Sequence, residues 1–183
     1  MIGKRISFSD SKNKLTIVIE PDKDILVNTI MGAWLSMWLT IGITVIWSLN
    51  ALKLEEQEKI ILYIFLVFWA YYAIKVSRSF LWLLFGIELL KIDEISLTIK
   101  KSIRKYGRST PHYFENIKNL KFELPESSSI QAIWESSPWV NGGERFSFEH
   151  FGKIVRFGRK LNAKEAQLLS NLITKNIKER TKK

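Results

Sequence analysis

From Ile25 to Leu52 the chain reads ILVNTIMGAWLSMWLTIGITVIWSLNAL, without one charged residue. About 20 apolar residues suffice to cross a hydrocarbon core of roughly 30 Å. A buried helix of a soluble protein usually keeps a polar stripe on its outward face, and this run has no such stripe of charge. It is expected to form a transmembrane helix over 25–52.

A second uncharged run, Ile60 to Ile74, would rise only about 22 Å as a helix, and about 28 Å if continued to Arg78. Lys75 and Arg78 can lay their stems along the helix and send their charges to the headgroups, so both are tolerable near a helix end. Tyr71, Tyr72 and Trp82 suit the same boundary. The expectation is a second helix over 59–78, then an interfacial segment SFLWLLFG, which together complete a transmembrane helical hairpin over 25–85. The connection KLEEQEK is a short polar turn, so both termini lie on one side.

The formal charge of +10 decides which side that is, because nearly all of the excess falls after Lys75. Retention of basic flanks places both termini in the cytoplasm and the chain in the cell inner (cytoplasmic) membrane as a multi-pass protein. Within the first helix Gly32, Ser36, Thr40, Thr44 and Ser48 recur at every fourth position. Small side chains let helices approach closely. The stripe is the candidate packing surface toward Ala70, Ala73 and Ser77 of the second helix, and a homo-oligomer contact is its alternative use.

Outside the hairpin the pattern changes to strands. KRISFSDSKNKLTIVIE alternates through Ile6, Phe8, Leu15, Ile17 and Ile19 around a turn-forming Asp10 to Asn13, which reads as an N-terminal β-hairpin within 1–24. A lone hairpin is barely stable in water and needs a further sheet to join. IELLKI, SLTIKKSIRK, IKNLKFE, SIQAIWE, RFSFEHF and KIVRFG supply strand candidates, punctuated by Pro125, Pro138 and Gly142-Gly143. The chain then turns helical over 163–179. Asn162 and Glu165 form a capping box there, and Ala166, Leu169, Ile173 and Ile177 make its apolar face.

Two early membrane helices, LFGIELLKI, FENIKNLKFE and the ending FSFEHFGKIVRFGRKLNAKEAQLL together resemble bacterial two-helix membrane proteins carrying a pleckstrin-homology-like (PH-like) domain. The resemblance covers most of the chain. It implies a membrane α-helical hairpin plus an α+β PH-like domain over 86–183, a small open β-barrel or twisted sheet capped by the C-terminal helix. The N-terminal hairpin would contribute strands to that same domain, with the membrane hairpin inserted between.

For function, the expectation is a cytosolic binding or scaffolding module for a protein partner, held at the lipid bilayer. Lys100, Lys101, Arg104, Lys105 and Arg108 are candidate contacts to anionic lipid, each basic residue near such a surface contributing about 1 kcal/mol. No nucleic-acid motif accompanies the charge. The alternative is a membrane-associated enzyme using His112 or His150, the only histidines, each beside aromatic or acidic neighbours in PHYFE and FEHFG. The sequence holds no H-E-x-x-H, G-x-S-x-G or P-loop pattern. The absence of cysteine excludes disulfides, thiolate metal sites and a thiol nucleophile. No catalytic residue, cofactor or metal is therefore expected. Trp134 and Trp139 lie in a Pro- and Gly-punctuated stretch as candidates for a partner surface.

Overall fold

The computed structural model describes residues 3, 5–11, 13–124, 129–140 and 142–181. Pro125 and the tail residues Lys182 and Lys183 lie outside the described residues. The chain divides into two compact units: a helical one, Lys23–Leu84, and one that joins Met1–Asp22 to Phe85–Lys183.

The helical unit contains α1 (Ile25–Ala51) and α2 (Glu56–Phe85), both long and apolar enough to cross a membrane. Asp24 caps α1, its Oδ1 accepting from Leu26 N at 2.8 Å, where an acceptor satisfies an orphan amide and a negative charge suits the helix dipole. At the start of α2, Glu58 Oε2 accepts from Glu55 N at 2.9 Å. The second helix does not stop at Arg78. No Gly or Pro occurs between Glu56 and Phe85, so nothing breaks the backbone ladder, and SFLWLLF continues the helix instead of forming a separate interfacial segment. Gly86, the first breaker, begins a strand.

Among the buried and half-buried residues of α1, Met31, Leu35, Trp38, Gly42, Val45 and Leu49 follow one another in steps of four and three, a coiled-coil-like seam. Two indoles lock it: Trp69 Nε1 donates to Trp38 O at 2.7 Å, and Trp38 Nε1 donates to Trp69 O at 3.2 Å. Gly42 makes room for the Trp69 ring, because a Cβ there would lie 2.0 Å from Trp69 Cε2. The hydroxyl stripe follows a different line. Ser36, Thr40 and Thr44 are exposed, and each donates to the carbonyl four residues back, whereas Ser48 donates to Val45 O. Gly32 of that stripe meets α2, facing Phe80, and Ser48 is half-buried.

The other unit is built from two antiparallel meanders and a helix. The first sheet is ordered β1 (Ile6–Ser11), β2 (Lys14–Ile19), β3 (Gly86–Ile92), β4 (Ser96–Ile103), β5 (Ser109–Tyr113). The second is ordered β6 (Ile117–Phe122), β7 (Glu144–His150), β8 (Lys153–Arg159). The N-terminal hairpin pairs with β3, Ile17 opposite Leu90 and Ile19 opposite Glu88, so the helical unit is an insertion between neighbouring strands. Strand alternation sends Leu15, Ile17, Ile19, Leu90, Ile92, Leu97 and Ile99 inward against Phe146, Phe148 and Phe157 of the second sheet. Each fully buried Leu or Ile contributes about 2 kcal/mol.

The last helix, α4 (Ala163–Thr181), closes this core with Ala166, Leu169 and Ile173. Asn162 and Glu165 cap it reciprocally, Glu165 N donating to Asn162 Oδ1 at 2.8 Å and Asn162 N to Glu165 Oε2 at 3.1 Å. Arg5 ties the first hairpin to the same corner by donating to Lys160 O at 3.1 Å.

One strand candidate is a helix. SIQAIWE forms α3 (Ile130–Ser136), because Ser129 caps it by accepting from Ala132 N at 3.1 Å and Gln131 bonds Glu135 one turn on at 2.8 Å. Its alternation of Ile130, Ala132 and Trp134 fits a strand only by coincidence.

The seam between α1 and α2 yields a paired prediction. Gly42→Ala should destabilise the hairpin by about 1–3 kcal/mol through overpacking against Trp69. Gly32→Ala, whose Cβ would sit 3.3 Å from the end of the Phe80 ring, should be close to neutral. Thermal unfolding of the two variants in detergent, followed by tryptophan near-UV circular dichroism, checks the difference.

Candidate functional site

Charge enters the core of the strand unit at Glu88 of β3. Its side chain is 1% exposed, and its position between Gly86 and Leu90 on the inward face gives it no route to water. Oε2 accepts from Gly158 N at 2.9 Å and Arg159 N at 3.1 Å, both on β8, so one carboxylate bridges the two sheets. Gly158 has φ of +75° and a Cβ there would lie 2.6 Å from Phe146, so only glycine presents its amide this way. Oε1 faces Lys101 Nζ at 3.5 Å. Burial pushes the Glu88 carboxyl above its ordinary range, against the pull of Lys101 and of the two amides.

Lys101 also reaches Glu144 Oε1 at 3.1 Å. Burial raises Glu144 as well, but the charge and hydrogen bond of Lys101 outweigh it and leave that carboxyl below the usual value. Beyond β8, burial and the neighbouring Arg159 bring Lys160 down to about 8, and its ammonium donates to Ser137 O.

The five basic residues singled out from the sequence occupy different environments. Lys101 sits on the inward face of β4 and is matched by two carboxylates, while Lys100 lies on the opposite face. Arg104 and Lys105 form the tight turn to Tyr106, with φ of 49° and 75°. Ile103 and Tyr106 exchange hydrogen bonds of 2.9 and 3.0 Å across it. Such two-residue turns ordinarily recruit Asn and Gly, since a left-handed residue with a Cβ costs on the order of 1 kcal/mol or more. Arg104 gains the Phe85 ring in return, its guanidinium carbon 4.0 Å from the centroid. Arg108 leaves the group altogether.

Arg108 lines a cleft of about 310 Å³ with Ile99, Lys101, Thr110, His112, Val155 and Arg156. β5 and β8 are the last strands of their sheets, and the cleft lies where their side chains meet. His112, 5% exposed, projects from β5 and its ring centroid lies 4.6 Å from that of His150 on β7, nearly perpendicular to it. His112 Nδ1 and His150 Nε2 are both buried and without a hydrogen-bond partner among the described residues. Burial, then the proximity of His150, holds His112 below the ordinary histidine value. The sequence offered these histidines as separate candidates; the docking of one sheet on the other makes them neighbours.

No family model matches the chain, nor does any curated protein or solved structure.

The His112 environment fixes the sign of a pH effect. A histidine whose folded-state pKa is depressed leaves the unfolded chain binding more protons, so stability falls as pH drops through about 6.5 and levels off below the folded-state value. Unfolding of the full chain in detergent between pH 8 and 5 should show this slope. His112→Asn should reduce it, and an unchanged slope would assign the effect elsewhere.

Proposed function

We propose that this chain is an integral protein of the cell inner membrane whose PH-like α+β domain is a cytosolic binding or scaffolding module for a protein partner. The observation that carries the reading is the insertion of a membrane-length helical hairpin between β2 and β3, strands that pair with each other. A domain connected to its anchor through two adjacent strands is tethered at two neighbouring points, and a protein so held is suited to presenting a surface. The two meanders with a closing C-terminal helix support the PH-like reading, and the basic excess after Lys75 supports cytoplasmic termini.

The side chain of Trp134 is one candidate contact. It shares an exposed face of α3 with Ile130 and Ile133, which are 65%, 85% and 66% exposed in that order. Apolar side chains clustered this way on a short helix favour a partner surface over a solvated one. Docking on anionic lipid remains part of the proposal through Lys100, Lys105 and Arg108. A membrane-associated enzyme is the second reading, favoured by the contact between His112 and His150.

A photo-crosslinking side chain at Trp134, in native membranes, should capture one protein in saturable and near-stoichiometric amount, and Ile133→Asp should abolish the capture while leaving the fold intact. Capture that ignores Ile133→Asp would contradict the module.

A further inference from the structure

We propose that the cleft between β5 and β8 is a binding site for a phosphate-class anion, held by Arg108 and Arg156 at its mouth with Thr110 and His112 inside.

The lining residues carry positive charge and no carboxylate. Lys101 contributes little to the excess, because Glu88 and Glu144 already face it. The excess belongs to Arg108, immediately before β5, and to Arg156 of β8, which also borders a second hollow lined by Glu123, Glu135 and Glu144. Both are exposed, and among the described residues neither makes an ion pair. Arginine forks match the planar pairs of oxygens on an oxyanion and form its strongest hydrogen bonds.

The interior points the same way. His112 is nine-tenths buried and its Nδ1 has no partner in the protein, an arrangement that costs free energy unless a ligand or water supplies the missing hydrogen bond. The Thr110 hydroxyl would donate to an oxyanion, and a His112 imidazole protonated at Nδ1 would do so once a ligand drew that buried edge of the ring toward the cleft. Two histidines in contact could also suggest a metal ion, but Lys101, Arg108 and Arg156 line the space into which His112 opens, and that field repels a cation. A tetrahedral oxyanion instead uses donors arriving from several directions, which is what β4, β5 and β8 provide. At about 310 Å³ the cleft has the size of a small-ligand pocket, with Ile99 and Val155 as an apolar wall for whatever the phosphate is esterified to.

The ligand could be a lipid headgroup or a soluble phosphoester, and the chemistry is the same. The inference rests on the binding-module reading for its role but not for its test, so a captured protein partner without phosphate binding would overturn the site and leave the module standing.

The full chain is placed in nanodiscs of phosphatidylcholine, and inorganic phosphate is titrated by calorimetry against chloride at equal ionic strength. Saturable binding is expected, weakened about tenfold by Arg108→Ala or Arg156→Ala, the worth of a charge-assisted hydrogen bond. Lys100→Ala, on the other face of β4, should leave it unchanged. Both arginines are exposed, and unaltered circular dichroism confirms that the variants fold. In a second arm, discs containing phosphatidate and no free phosphate are treated with phenylglyoxal. Protection of Arg108 and Arg156 there, with phosphate binding lost when phosphate is titrated into fresh discs of the same composition, identifies a lipid headgroup. Phosphate binding equal in both discs, without protection, identifies a soluble phosphoester. Absence of saturable binding in neutral discs together with absence of protection in anionic ones overturns the proposal, as does binding that ignores both arginine substitutions.

Discussion

A carboxylate buried between two sheets must be paid for by donors, and Glu88 finds them on the opposite strand. Its Oε2 holds the amides of Gly158 and Arg159, and its Oε1 lies beside Lys101. A buried ion pair is a poor source of net stability compared with packed hydrocarbon. What it supplies here is register. Sliding β8 by one residue would leave the carboxylate without its two amides and would drive Phe157 out of the core. Because β3 follows α2 directly and pairs with β2, which leads into α1, the strand that carries Glu88 is also one of the two that join the strand unit to the helical unit.

The cleft follows from the same docking. Two meanders that pack face to face leave terminal strands whose edges are not paired, and unpaired edges invite aggregation unless charge or bulk guards them. β5 and β8 are such strands. Arg108 immediately precedes β5 and Arg156 lies within β8, so basic residues beside two strand edges also gather positive potential in one place. α3 carries an exposed apolar face in Ile130, Ile133 and Trp134, while the lining of the cleft carries positive charge.

Much of the architecture is legible in local patterns. The uncharged runs announce two helices because each is long and apolar enough to satisfy its own backbone across a bilayer in that form, and Ile17, Ile19, Leu97 and Ile99 alternate as strands with one wet face must. The length of α2 was less legible, since Lys75 and Arg78 read as an exit from lipid while the backbone simply continues to the first glycine. SIQAIWE was ambiguous at seven residues, and a single capping serine decided it. Glu88 left a visible trace: it shares the inward phase of IELLKI with Leu90 and Ile92, and an acid in a core position demands partners. The contact of His112 with His150 left none, because it depends on how two sheets pack and no local periodicity encodes that. The basic cluster was legible as charge but not as geometry, since pairing alone told which face Lys101 occupied and not that Glu88 and Glu144 awaited it.

Hydrogen exchange in Glu88→Gln tests the bridge between the sheets most directly. Glutamine keeps the shape and one acceptor but loses the charge, so the Gly158 and Arg159 amides should lose about 2 kcal/mol of protection, the difference a charged acceptor makes. That corresponds to exchange faster by about thirtyfold, while amides of α1 and α2 stay as they were. Unchanged protection at Gly158 and Arg159 would show that apolar packing alone sets the register of the two sheets, and would contradict the role assigned to Glu88.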